Sequence, residues 1–284
     1  MRRIRHFYSD VLDWASAVMA DSERNENFPD ALEAGFLVVL LFALEMLWGA
    51  LFRDVQTLFG LPMSDLGDVV LVLANGTLFT ALLYFKRLSY RNLFHSGRYS
   101  AMATLATLAV PVLLIVPGTL FAVGLLRALL LHGFPMFQWH SLGPDDVLPH
   151  RIEVAVGVCL LAPVLEEMLF RGIILRSFLQ QYSATRSITI SALLFGLAHL
   201  NPDQFIVGVV LGLVNGWLYE RTRSLWPCIL LHGSYNVAVL YLHLTGGIES
   251  PVCWLLVALV GAWAGIKRLR ALVSSPSWKF SRQN

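Results

Sequence analysis

Apolar residues in this chain run in long stretches separated by short polar connections. Eight stretches stand out, at residues 34–52, 66–85, 101–126, 152–180, 187–200, 204–219, 225–243 and 251–266. A helix needs about 20 apolar residues to cross the hydrocarbon core of a bilayer. The pattern therefore predicts an all-α, polytopic transmembrane bundle of about eight spans. The third and fourth stretches are long enough to tilt, kink or extend into water. Pro111 and Pro117 interrupt the third and Pro163 the fourth, which a bundle tolerates because neighbouring helices serve the backbone groups a proline frees.

The polar segments have patterns of their own. In residues 1–30, Ile4, Phe7, Val11, Trp14 and Val18 recur at helical spacing beside Arg2, Arg3 and Arg5, as in an amphipathic helix lying on a membrane surface. Pro29 and Asp30 mark a break before the first span. Residues 132–151, rich in Pro, Gly, His and Asp, read as a loop. The chain divides into an amphipathic arm (1–33), N-terminal helices and loop (34–150), a core (151–245), and a last helix with a basic tail (246–284).

Composition agrees with the pattern. Of 284 residues, 56% are apolar and 14% charged, against about 25% charged in an average soluble domain; mean hydropathy is +0.63. Lys and Arg are lopsided. With alternating spans, 17 fall on the side of the two termini and three (Arg53, Arg127, Arg151) on the other, with Arg171 inside a span. Cytoplasmic loops collect positive charge, so both termini are expected in the cytoplasm. A net charge of +2 gives no reason to expect a nucleic acid partner. Cys159, Cys228 and Cys253 are widely spaced in apolar stretches and read as buried free thiols. No apolar run of signal-peptide length lies within the first 30 residues.

Against this background the polar residues inside spans are conspicuous, because burying them is costly and usually functional. Three patterns lie in the C-terminal half. In the first, Glu166-Glu167-Met168-Leu169-Phe170-Arg171, Glu167 and Arg171 are four residues apart on one helix face and can pair. Glu166 points about 100° away without a partner on its own helix, and an unpaired carboxylate in low dielectric can serve as a proton acceptor. One acid thus reads as structural and the other as chemical; the competing reading has both facing water at a rim. The second pattern is Phe195-Gly196-Leu197-Ala198-His199, whose His by itself fits interhelical hydrogen bonding at least as well as catalysis. In the third, His232-Gly233-Ser234-Tyr235-Asn236, His232 and Asn236 share a face and could grip an oxyanion or simply join helices.

Depth ties these residues together. At about 1.5 Å per residue, Glu166, His199, Asn236 and His232 lie roughly 21–24, 18–20, 17 and 11 Å from the cytoplasmic ends of their spans. Three spans can therefore bring four polar side chains to one cavity. Gly208-x3-Gly212-x3-Gly216 reads as close helix packing, with Asn215 as a supporting hydrogen bonder. Glu45 and Asn75 read as packing or rim residues.

In their order and intervals the motifs EExxxR, FxxxH and HxxxN resemble those of the CPBP (Abi) family of type II CAAX prenyl proteases and bacteriocin-processing enzymes. The likeness covers about residues 150–242, including the lead-in Gly216–Thr222 and Leu225-Trp226-Pro227. The resemblance implies an intramembrane endopeptidase of the glutamate type. Glu166 and His199 would position and deprotonate a water, and His232 and Asn236 would stabilise the tetrahedral oxyanion. Glu167, Arg171 and Phe195 would hold the site in shape. The expected substrate is a membrane-embedded or membrane-delivered protein or peptide, such as a CAAX-like tail, a peptide leader or a C-terminal sorting tag. The expected location is a bacterial inner membrane.

No cofactor is expected. A zinc-dependent alternative would use Glu166, His199 and His232 as ligands with an open fourth position, although the HExxH arrangement is absent. A non-catalytic membrane binding or immunity protein is a further alternative, which a broken motif would mark. A transporter is disfavoured by the lack of repeated halves, and neither GxSxG nor GxGD is present for a serine or aspartyl intramembrane protease.

Overall fold

The structure is a computed structural model. It describes residues 27–60, 66–86, 88–133, 151–245 and 250–273. The expected surface helix, most of the 132–151 loop and the end of the basic tail lie outside the described residues.

Each of the eight apolar stretches forms a helix. These are α1 (Ala31–Phe59), α2 (Gly67–Lys86), α4 (Ala101–Gly133), α5 (residues 151–181), α6 (Ala184–Leu197), α7 (Pro202–Thr222), α8 (Trp226–Leu244) and α9 (Pro251–Val273). A short α3 (Tyr90–Phe94) lies between α2 and α4. The break at Asp30 is a capping box. Its carboxylate accepts from the Leu32 and Glu33 amides, and the Glu33 side chain accepts from the Asp30 amide, so the orphan donors of the first turn are satisfied.

The expectation of eight spans holds only in part. Among the described residues, four helices are long and apolar enough to cross a membrane: Ala31–Phe59, Gly67–Lys86, Ala101–Leu130 and Val252–Val273. At 14 residues, α6 is about 21 Å long, short of a hydrocarbon core of about 30 Å. It also ends earlier than its apolar run. Leu200 adopts a left-handed backbone at φ 52°, and Asn201 caps α7 by accepting from the Asp203 and Gln204 amides. His199, expected late in a span, therefore lies just past the end of its helix.

Two small-residue seams bring helices together. On α6 and α7, a Cβ placed on Gly208 would stand 2.7 Å from the Gly196 Cα, one on Gly212 2.7 Å from the Ala192 Cα, and one on Gly216 2.8 Å from Ile188 Cγ2. The glycine stripe is packing, as read from its spacing. On α4 and α9, Gly118, Gly261 and Gly265 play the same part against Ala262, Leu114 and Ile115. Elsewhere α8 packs along α4 and α1 along α2. Leu32, Phe36, Val39, Met46 and Leu47 of α1 remain exposed. Bare apolar surface of this extent fits a lipid-facing helix. This is an integral membrane protein.

The helix carrying the first motif is not regular. α5 is α-helical at Arg151–Val156, π-helical at Gly157–Leu161, α-helical at Ala162–Glu167, π-helical at Met168–Leu175 and α-helical at Arg176–Gln181. Glu166 and Glu167 thus stand on a short α segment between two widened stretches. The wide turns displace carbonyls from their usual donors, and side chains of other helices serve some of them. Ser191 Oγ donates to the Phe170 carbonyl at 3.1 Å. The far end of α5 is anchored through α3. Gly172 leaves room for Leu93, against which an added Cβ would stand 2.7 Å away, and Arg176 donates to the Asn92 carbonyl at 2.9 Å.

Candidate active site

Phe195 of α6, almost fully buried, is the hub of the site. The Arg171 guanidinium lies over its ring at 4.5 Å. The His199 and His232 rings meet it edge-on, with centroids at 5.1 and 5.7 Å. Phe170 packs beside it at 4.9 Å. One aromatic ring therefore touches a residue from each of the three motifs.

Glu167 carries the central polar network and is fully buried. Its Oε2 pairs with Arg171 Nε at 3.1 Å. That is the i, i+4 pairing the sequence predicted. Its Oε1 accepts from Asn215 Nδ2 at 2.8 Å and lies 3.0 Å from His232 Nδ1. Arg171 is equally buried, and its Nη1 and Nη2 have no hydrogen-bond partner among the described residues. The ion pair and the face of Phe195 hold that charge. Breaking such a buried pair by removing one partner leaves an uncompensated charge.

His232 thus stands between two carboxylates. Nδ1 points to Glu167, and Nε2 lies 3.7 Å from Glu166 Oε2. The second distance exceeds a direct hydrogen bond, so Glu166 is close without being tied. Its side chain is 29% exposed, against 0% for Glu167. The two adjacent acids therefore differ, one locked inside and one partly accessible. The connection from Glu167 to His232 was not anticipated. Nothing in the local spacing reveals it, because the two residues are 65 positions apart. Glu45 of α1 is half-buried and near enough to Glu166 for their charges to interact, which puts a third carboxylate by the site. Asn75, by contrast, is a packing residue. It is buried and donates back to the Leu71 carbonyl at 2.9 Å.

His199 Nδ1 is 2.9 Å from the Phe195 carbonyl. A backbone carbonyl can only accept, so Nδ1 carries the proton and Nε2 is left as the acceptor in the neutral ring. No hydrogen bond joins His199 to Glu166 directly. Asn236 is committed elsewhere. Its Nδ2 donates to the Val158 carbonyl at 2.8 Å, joining α8 to the first π-helical turn of α5.

Among the described residues no group of three His, Cys, Asp or Glu side chains is arranged to hold a metal ion. The alternative set of Glu166, His199 and His232 is not gathered into such a group, although the Nδ1 contact of His232 with Glu167 leaves its Nε2 free. The three cysteines are free; Cys228 is buried, Cys159 partly so and Cys253 exposed. The expectation that all three thiols are buried fails for Cys253.

Comparison with known proteins locates the same segment. Residues 149–238 match the family described as Type II CAAX prenyl endopeptidase Rce1-like, so the class this segment indicates is a membrane peptidase. A Bacillus subtilis (strain 168) protein described as "Putative membrane peptidase YdiL" is 28% identical over 85 residues, 30% of this chain and 35% of that relative. The chain thus covers about a third of the relative's length. No solved structure matches. The resemblance read from the three motifs is borne out over this segment.

Proposed function

We propose that the chain is an intramembrane endopeptidase of the glutamate type, acting on a membrane-embedded or membrane-delivered protein or peptide. The observation that carries this reading is the placement of His232 between a locked and an accessible carboxylate. Glu167, held by Arg171 and Asn215, accepts the Nδ1 proton of His232 and fixes the ring. With Nε2 protonated as well, His232 donates toward the side where Glu166 stands. Preorganised donors of this kind stabilise charge that develops in the transition state.

Glu166 takes a proton from a water that the free Nε2 of His199 helps to orient. The resulting hydroxide adds to the scissile carbonyl carbon. His232 Nε2–H and the second N–H of Asn236 donate to the oxyanion. As the C–N bond breaks, the proton held by Glu166 passes to the leaving nitrogen and Glu166 returns to its carboxylate; the carboxylic acid and amine so formed then leave as carboxylate and ammonium. No metal enters these steps. The family match supports the peptidase class, and the described geometry supports the assignment of roles.

Residues 151–245 form the catalytic core in this reading. The compact loops and the bacterial source of the relative favour a bacterial plasma membrane.

The test compares membrane-derived peptides from cells carrying the wild-type protein and the Glu166→Gln variant at equal abundance. A precursor should accumulate, and its cleaved form disappear, only with the variant. Unchanged cleavage of every membrane peptide by Glu166→Gln would overturn the proposal.

A further inference from the structure

A second feature of the site begins with a missing proton. In the first π-helical turn of α5, the Ala162 amide donates to the Gly157 carbonyl. The Val158 carbonyl thereby loses its α-helical donor. Its π-helical donor would be residue 163, and Pro163 has no N–H. Within a membrane such a carbonyl has no water to turn to. Asn236 Nδ2 fills the vacancy at 2.8 Å. One residue on, the Cys159 carbonyl would also draw its α-helical donor from residue 163. It faces Gly233, where an added Cβ would stand 2.9 Å away. The two carbonyls affected by Pro163 thus face two residues of the His232–Asn236 motif.

We propose that Pro163 is a positioning residue: by leaving the Val158 carbonyl without a helix donor, it draws one N–H of Asn236 and sets the orientation of that amide. The first N–H is spent on Val158, which leaves the second N–H for the oxyanion. The same contact seats α8, and His232 with it, against the turn that carries Glu166 three residues later. The catalytic consequence rests on the peptidase reading above; the structural consequence does not.

The test has two arms. In the first, thermal unfolding is followed for the wild type, Pro163→Ala, Asn236→Ala and the double variant. An alanine at 163 supplies the N–H that Val158 lacks. Asn236→Ala should therefore lower the unfolding midpoint of the native chain by roughly 5 °C and that of the Pro163→Ala chain by less than half as much. Equal shifts in both backgrounds would overturn the inference, whatever the protein cleaves.

In the second arm, turnover is measured on the peptide that accumulates with Glu166→Gln. Pro163→Ala should lower kcat by about tenfold or more while KM stays within about twofold. Replacing residue 163 by lactic acid keeps the alanine methyl, removes the N–H and should restore kcat. A Pro163→Ala enzyme with wild-type kcat, or a failed rescue by the ester, overturns the positioning role. A wild-type chain that cleaves nothing overturns the peptidase reading and leaves the first arm to decide this one.

Discussion

At the scale of single residues, the fully buried Glu167 and Asn215 tie the candidate site together. Glu167 joins four groups: Arg171, Asn215, His232 and, through the Arg171 guanidinium, the Phe195 ring. Asn215 reaches two helices at once. Its Nδ2 serves Glu167 and also the Cys228 carbonyl at 3.3 Å, while Cys228 Sγ donates back to the Asn215 carbonyl at 3.4 Å. Asn215→Ala should cost about 1–3 kcal/mol of stability, since it removes a donor from buried acceptors, as read from denaturation in detergent. Asn215→Ser, which retains a hydroxyl donor, should lose less. Glu167→Ala should be worse than either. It leaves the Arg171 charge uncompensated, at roughly 3–5 kcal/mol, and its protein yield should fall, whereas that of Glu166→Ala should not.

At the scale of elements, the α6–α7 seam and the irregular α5 bring the motifs together. The Gly208, Gly212 and Gly216 stripe lets α7 approach α6 closely enough for Asn215 to reach Glu167. Gly212→Leu would drive a side chain into Ala192. It should lower stability by about 1–3 kcal/mol and reduce turnover, because the seam also positions Phe195. A normal melting curve with normal turnover would show that the seam is dispensable. In α5, the two acids stand on the short α-helical segment between the π-helical stretches, where adjacent residues point about 100° apart. Glu167 reaches α7 and α8, while Glu166 stays at the accessible side.

At the scale of the whole molecule, the arrangement is a set of lipid-facing helices around a polar seam. The asymmetry of Lys and Arg leads to an expected topology with both termini in the cytoplasm. Single cysteines placed near each terminus, in a chain whose three native cysteines are replaced, should be modified by impermeant maleimide only from the cytoplasmic face. Labelling from opposite faces would require an odd number of crossings. The proposed chemistry runs without a bound ion, so a strong chelator should leave turnover unchanged. Loss of turnover that added zinc restores would favour the alternative ligand set of Glu166, His199 and His232.

Much of this was legible in one dimension. The eight apolar stretches each form a helix, and for the four long enough to cross a membrane the reason is that lipid-shielded backbone must satisfy itself within a segment. The i, i+4 spacing of Glu167 and Arg171 determines their pairing, and the glycine stripe determines a close crossing. These follow from local periodicity. Local periodicity carries no information about partners far along the chain. Only the tertiary structure decided that Glu167 holds His232, that Phe195 gathers three motifs, that His199 falls beyond its helix, and that Asn236 reaches the Val158 carbonyl. Each of those facts joins residues on different helices or depends on how one helix ends and the next is capped. The crossing geometry of whole rods, which no short window of sequence contains, sets them.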